Sequence, residues 1–169
     1  MPISIPERII ALDLRPKSLG FVVLEGEERI LDWGAKAFCG GVNAVNIAPG
    51  AKVKALLAEY LPDALVLRHQ RTGTDAMLRE VKEVCKTQDL AIRLLPPRVV
   101  KKAFVGCRNK DQIAATVSER FPPLLSILPP KRKFYDKEDW RIRIFDAAAA
   151  GLAYFMRKRQ GVPVSFPPS

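Results

Sequence analysis

Apolar residues follow two rhythms along this chain. Near the N-terminus they come in short runs rich in β-branched residues: Arg8 to Leu14 (RIIALDL), Leu19 to Glu25 (LGFVVLE), and Arg29 to Phe38. Tight polar connections at Pro16-Lys17 and Gly26-Glu27-Glu28 separate them, and runs joined in this way predict an antiparallel meander. Cys39 to Pro49, with Gly40 and Gly41, reads as a loop. From Lys52 to Leu61 the rhythm becomes helical, with Val53, Leu56, Leu57 and Tyr60 on one face, and Pro62-Asp63 stops it. Ala64 to Leu67 reads as a short buried strand. Thr72 to Lys86 is helical again, with Met77, Leu78, Val81 and Val84 on one side, and Leu90 to Leu95 reads as a fifth strand.

After Pro96-Pro97 come two helical stretches, Arg98 to Phe104 and Lys110 to Phe121. Pro122 to Lys133 reads as a Pro-rich basic loop, and a last helix is expected from Asp139 to Arg159. The order β-β-β-α-β-α-β-α-α-α predicts an α/β fold. Its sheet is mixed, three antiparallel strands followed by parallel ones, with helices on both faces. Residues 1–160 are expected to form one domain, with 161–169 a Pro-rich tail.

Composition narrows the class. With 48% hydrophobic residues the chain can bury a core, which excludes the disordered class. A formal net charge of +10 and a pI near 9.8 point to an anionic partner, nucleic acid or a membrane surface. No apolar run reaches the roughly 18 residues needed to span a bilayer, and no signal-peptide pattern opens the chain. Cys39, Cys85 and Cys107 have no C-x-x-C spacing, so neither a zinc knuckle nor a redox motif is visible. Reduced thiols in the cytoplasm are the expectation, with no membrane partner.

Asp13 ends an apolar strand, and a carboxylate buried there needs a cation or hydrogen-bond donors. It reads either as a Mg²⁺ ligand or as a cap for the following turn. Asp146 sits in a small apolar run, Phe145-Asp146-Ala147-Ala148-Ala149-Ala150-Gly151. It reads either as a second ligand projecting toward Asp13 or as a solvated acid on a polar helix face. Asp139 reaches the same helix face only if the helix extends that far. Asp136 and Glu138 are expected to cap that helix or dress its first turn. His69 should point to the face opposite Arg68.

The basic residues gather in two segments. Arg98, Lys101, Lys102, Arg108 and Lys110 span a stretch without one acid. Lys131, Arg132 and Lys133 lie beside Phe134, Tyr135 and Trp140. Arg and Lys beside aromatics suit phosphate contact and base stacking. Arg15, Lys17, Arg68 and Arg71 add positive charge near the Asp13 edge.

Taken together, the strand ending in Asp13, the turn to Gly20, Pro62-Asp63 before a short strand, and Asp146-Ala147-Ala148 in a late helix resemble RuvC-type Holliday-junction resolvases of the RNase H-like nuclease superfamily. Pro97 to Gly106, followed by Asn109-Lys110-Asp111-Gln112-Ile113, resembles that family's basic segment ahead of a helix. The resemblance runs from about Arg8 to Phe155. It implies an RNase H-like five-stranded sheet, DNA rather than RNA as partner, a branched substrate and a homodimer. It also implies metal-assisted phosphodiester hydrolysis, in which four carboxylates hold two Mg²⁺ ions.

Asp13 matches the family's first-strand Asp and Asp146 the first Asp of the final-helix pair. Arg68 stands where the family carries a strand-end Glu, and Ala149 where it carries the second helix Asp. A guanidinium among metal ligands repels the metal and can pair with Asp13 or Asp146 instead. The expectation is therefore a nucleic-acid-binding protein of this type with weakened or lost nuclease activity. The alternative is an active structure-selective endonuclease using Mg²⁺ or Mn²⁺ on Asp13 and Asp146. A third reading, docking onto a larger complex, rests on the apolar Pro-rich stretch Phe121 to Pro130 and the tail.

Overall fold

A computed structural model describes residues 5–38, 48–68, 73–131, 133, 135 and 137–161. Its strands are β1 (Arg8–Arg15), β2 (Ser18–Glu25), β3 (Arg29–Ala37), β4 (Ala64–Arg68) and β5 (Ala91–Leu95). Its helices are α1 (Pro49–Tyr60), α2 (Asp75–Thr87), α3 (Pro97–Ala103), α4 (Lys110–Arg120) and α5 (Ile142–Arg159). The strands form one sheet in the order β3-β2-β1-β4-β5. β1–β2 and β2–β3 pair antiparallel, and β1–β4 and β4–β5 pair parallel. This is the mixed five-stranded sheet that the hydrophobic pattern predicts.

Strand alternation divides the core in two. Ile10, Leu12, Leu65 and Leu67 face α1 and α2. Ile9, Ala11, Val22, Leu24 and Val66 face α3, α4 and α5. The central strands are buried on both faces, which is why they read as continuous apolar runs rather than alternating ones. By the same alternation Asp13 and Arg15 fall on the α5 side of β1.

α5 lies close on the sheet because its inner residues are small. A Cβ added to Gly151 would come within 2.7 Å of Leu24 Cδ1. A Cβ on Gly20 would come within 2.5 Å of the Arg143 carbonyl oxygen. Gly20 is the β2 partner of Asp13. The missing side chain therefore lets the first turn of α5 descend beside Asp13, and Asp146 enters the sheet surface one turn later.

Three expectations need correction. The last helix starts at Ile142, not Asp139. Asp139 instead closes a turn, accepting the Arg141 backbone N–H at 2.9 Å on its side chain and the Ile142 N–H at 3.0 Å on its carbonyl. The stretch after Phe121 is not all loop, since Pro122–Ile127 forms a 3-10 helix that buries Leu124 against α4. Finally, β4 runs one residue further than expected and so carries Arg68. His69, Arg71, Arg132, Phe134, Asp136 and the residues after Gly161 lie outside the described residues. No helix among the described residues is long and apolar enough to cross a membrane.

Candidate functional site: an ion cluster at the centre of the sheet

Asp13 is fully buried, and its registered partner on β4 is Arg68, itself only 7% exposed. Because the two strands are parallel neighbours and share a face, their side chains meet. Arg68 Nη1 donates to Asp13 Oδ1 at 3.1 Å. The other carboxylate oxygen, Oδ2, accepts from Arg15 Nε at 2.7 Å. Both oxygens of Asp13 are thus held by guanidinium groups.

Arg15 reaches further. Its Nη2 donates to Asp146 Oδ2 at 2.6 Å and lies 3.0 Å from Glu138 Oε1. Lys110, the first residue of α4, places its Nζ 3.2 Å from Asp146 Oδ2 and 3.1 Å from Glu138 Oε2. Arg68 Nη1 is also 4.0 Å from Asp146 Oδ2. Among the described residues, Asp13, Asp146 and Glu138 are therefore paired with Arg15, Arg68 and Lys110 in one ion network.

The titration behaviour follows from this packing. Burial pushes the Asp13 carboxyl up, the Asp146 charge adds to that, and Arg15 and Arg68 pull it back. Burial works against the Arg15 charge, but Asp13 and Asp146 hold its guanidinium above its ordinary value. Glu138 is partly desolvated as well, yet Lys110 and Arg15 keep its carboxyl below the usual range.

A divalent-metal site needs carboxylate oxygens free to donate to the ion. Here both oxygens of Asp13 and the inner oxygen of Asp146 accept from cations. Among the described residues, no group of three or more His, Cys, Asp or Glu is arranged to hold a metal ion. This donor set does not fit Mg²⁺ or Mn²⁺.

Several expectations change at this point. Asp146 is 6% exposed and not a solvated acid. Glu138 belongs to the cluster and does not cap a helix. Asp139 is bound by Arg141 at 2.7 Å and borders the cavity that Arg15 and Glu138 line. Of the residues expected on a nucleic-acid surface, Arg15 and Arg68 turn inward, and Lys110 reaches the cluster while its side chain stays 38% exposed. Lys17, Arg98, Lys101, Lys102, Arg108, Lys131 and Lys133 are exposed. A cavity of about 300 Å³ opens beside the cluster, with Arg68, Arg98, Lys101, Lys110 and Asp146 around it and Ala149 in its wall. The role of Arg15 had a signal in the sequence, because i, i+2 spacing from Asp13 on one strand puts both on one face. Glu138 had none, since it reaches the cluster from a segment without periodicity.

No known family model matches this chain, and no curated protein matches it in sequence. Solved structures do share its fold. Thermus thermophilus RuvC, solved with a Holliday junction substrate, superposes with a TM-score of 0.67 at 18% identity, over 91% of this chain and 96% of its own. The fowlpox virus resolvase, solved with Holliday junction DNA, gives 0.58 at 15% identity over 89% and 98%. The yeast mitochondrial Holliday junction resolvase gives 0.50 at 11% identity over 95% and 85%. The chain therefore has an RNase H-like α/β fold. Within that class its architecture is the one shared by RuvC and related junction resolvases.

Proposed function

We propose that this protein binds nucleic acid on a RuvC-type fold, with DNA, including branched DNA, as the favoured partner, and that its nuclease activity is weakened or lost. The observation that carries this is the occupation of Asp13 by Arg15 and Arg68, at 2.7 and 3.1 Å. Metal-assisted hydrolysis would require both guanidiniums to leave a fully buried carboxylate. Losing one partner of a buried pair costs about 3–5 kcal/mol. Binding itself needs no metal. Arg98, Lys101, Lys102 and Arg108 supply exposed positive charge beside the cluster, and Lys17, Lys131 and Lys133 supply more. Contacts of this kind neutralise phosphates and position the partner without reading its sequence.

The test is incubation with a labelled four-way junction, with and without Mg²⁺ or Mn²⁺. Binding that weakens steeply with salt, without cleavage, is the expected result. Metal-dependent cleavage that disappears in a folded Asp13→Asn variant would establish the endonuclease instead, with Asp13 and Asp146 as its metal ligands. Absence of any binding at low salt would remove nucleic acid as the partner.

A further inference from the structure

Trp140 is 56% exposed, although an indole is among the most valuable side chains to bury. Its backbone is not loose. Asp139 accepts the Arg141 N–H, and its carboxylate takes two more bonds from the Arg141 guanidinium at 3.0 and 2.7 Å. The Trp140 carbonyl accepts the Arg143 N–H at 3.3 Å. The ring is therefore carried on a fixed turn at the entrance to α5.

Trp140 directly follows Glu138 and Asp139, which together wall two cavities of about 320 and 380 Å³. Lys131 and Lys137 line the first of these cavities, and Lys17 and Arg143 line the second. Tyr135, 66% exposed, precedes the turn with Lys133 Nζ 5.8 Å from its ring centre. Along the chain the exposed Tyr135 and Trp140 are interleaved with Lys131, Lys133, Lys137 and Arg143, a pattern that suits a strand whose bases are unstacked. The ring takes a base face and the cations take the phosphates on either side. Bases inside a duplex already stack on each other and offer no free face.

We propose that Trp140 is a stacking platform for an unpaired base, with Lys17, Lys131, Lys137 and Arg143 holding the adjoining phosphates. The assignment rests on the nucleic-acid function above and adds a preference for single-stranded or junction-centre nucleotides over plain duplex.

Trp33 and Trp140 are the two tryptophans of the chain. In the full-length Trp33→Phe variant, Trp140 emission alone reports the site. A short oligothymidylate should quench it strongly, and a blunt duplex of equal length much less. Separately, with labelled DNA and anisotropy detection, Trp140→Ala should bind the single strand roughly 5- to 150-fold more weakly. The same variant should keep its duplex affinity, and Trp140→Phe should recover most of the loss. Circular dichroism establishes that each variant is folded. Equal quenching by strand and duplex, or single-strand affinity unchanged in Trp140→Ala, overturns the platform while leaving nucleic-acid binding intact. Failure of the unaltered chain to bind either DNA at low salt overturns both.

Discussion

Arg15→Met is the sharpest perturbation of the ion cluster. Methionine keeps the length and most of the apolar stem but removes the guanidinium that touches three acids, at 2.7, 2.6 and 3.0 Å. The Arg15 side chain is 17% exposed and Asp13 is fully buried, so water replaces the guanidinium poorly at Asp13. Breaking a buried pair costs about 3–5 kcal/mol. Arg68 still sits 3.1 Å from Asp13 and Lys110 3.2 Å from Asp146, which places the loss at the lower end, about 3 kcal/mol. For a chain of this size that corresponds to a fall in Tm of about 6–12 °C. Urea unfolding and a thermal melt at neutral pH measure it. A cycle with Asp13→Asn should give a coupling energy of about 1–3 kcal/mol. The loss should change little with salt, because buried pairs are weakly screened. A cost below about 1 kcal/mol, the range of exposed pairs, would refute the closed cluster. So would a loss that vanishes at high ionic strength.

Two further outcomes are expected. Gly20→Ala forces a methyl to within 2.5 Å of the Arg143 carbonyl, so α5 must lift off β2; chemical denaturation should show a loss of about 1–3 kcal/mol, and stability equal to the parent would mean that α5 does not need this close approach. Burial and then the bond to Glu7 Oε1, 2.7 Å long, raise the Tyr154 hydroxyl from 10.0 to about 12. A raised value in the fold stabilises below the unfolded value and fades as pH climbs through the folded one, so stability should decline across that window, and less steeply in Tyr154→Phe; identical pH slopes in the two proteins would count against the buried hydroxyl.

The fold was legible because its signals are local. Two-residue and 3.6-residue apolar periods follow from strand and helix geometry alone, and short polar turns force neighbouring strands to pair. What stayed hidden depends on competition between partners. The start of α5 went unread because Asp139 can extend a helix or close a turn, and the bidentate grip of Arg141 decides for the turn. Arg15 and Lys110 look like surface charge in the sequence. The i, i+2 spacing pairs Arg15 with Asp13, but its reach to Asp146, and that of Lys110, depends on the approach of α5 allowed by Gly20. Pairing of Arg68 with Asp13 was open to sequence reasoning, since a parallel register makes the two strand ends neighbours.

The cluster also changes what a substitution at this place means. The charged groups described in it come from β1, β4, α4, α5 and the turn before α5, so the network ties two strands to two helices and that turn. In a metal site the acids repel one another until the ion arrives, and losing one acid chiefly costs metal affinity. In this chain the acids are already paired with cations, and losing Asp13 takes from Arg68 its 3.1 Å partner and from Arg15 one of three. A phenotype of Asp13→Asn or Asp146→Asn is therefore expected first in stability, and a lost activity means loss of chemistry only where the variant melts like the parent. The exposed positive charge of Arg98, Lys101, Lys102 and Arg108 lies outside this network, and it is there, with Trp140 at the edge, that nucleic-acid recognition is to be sought.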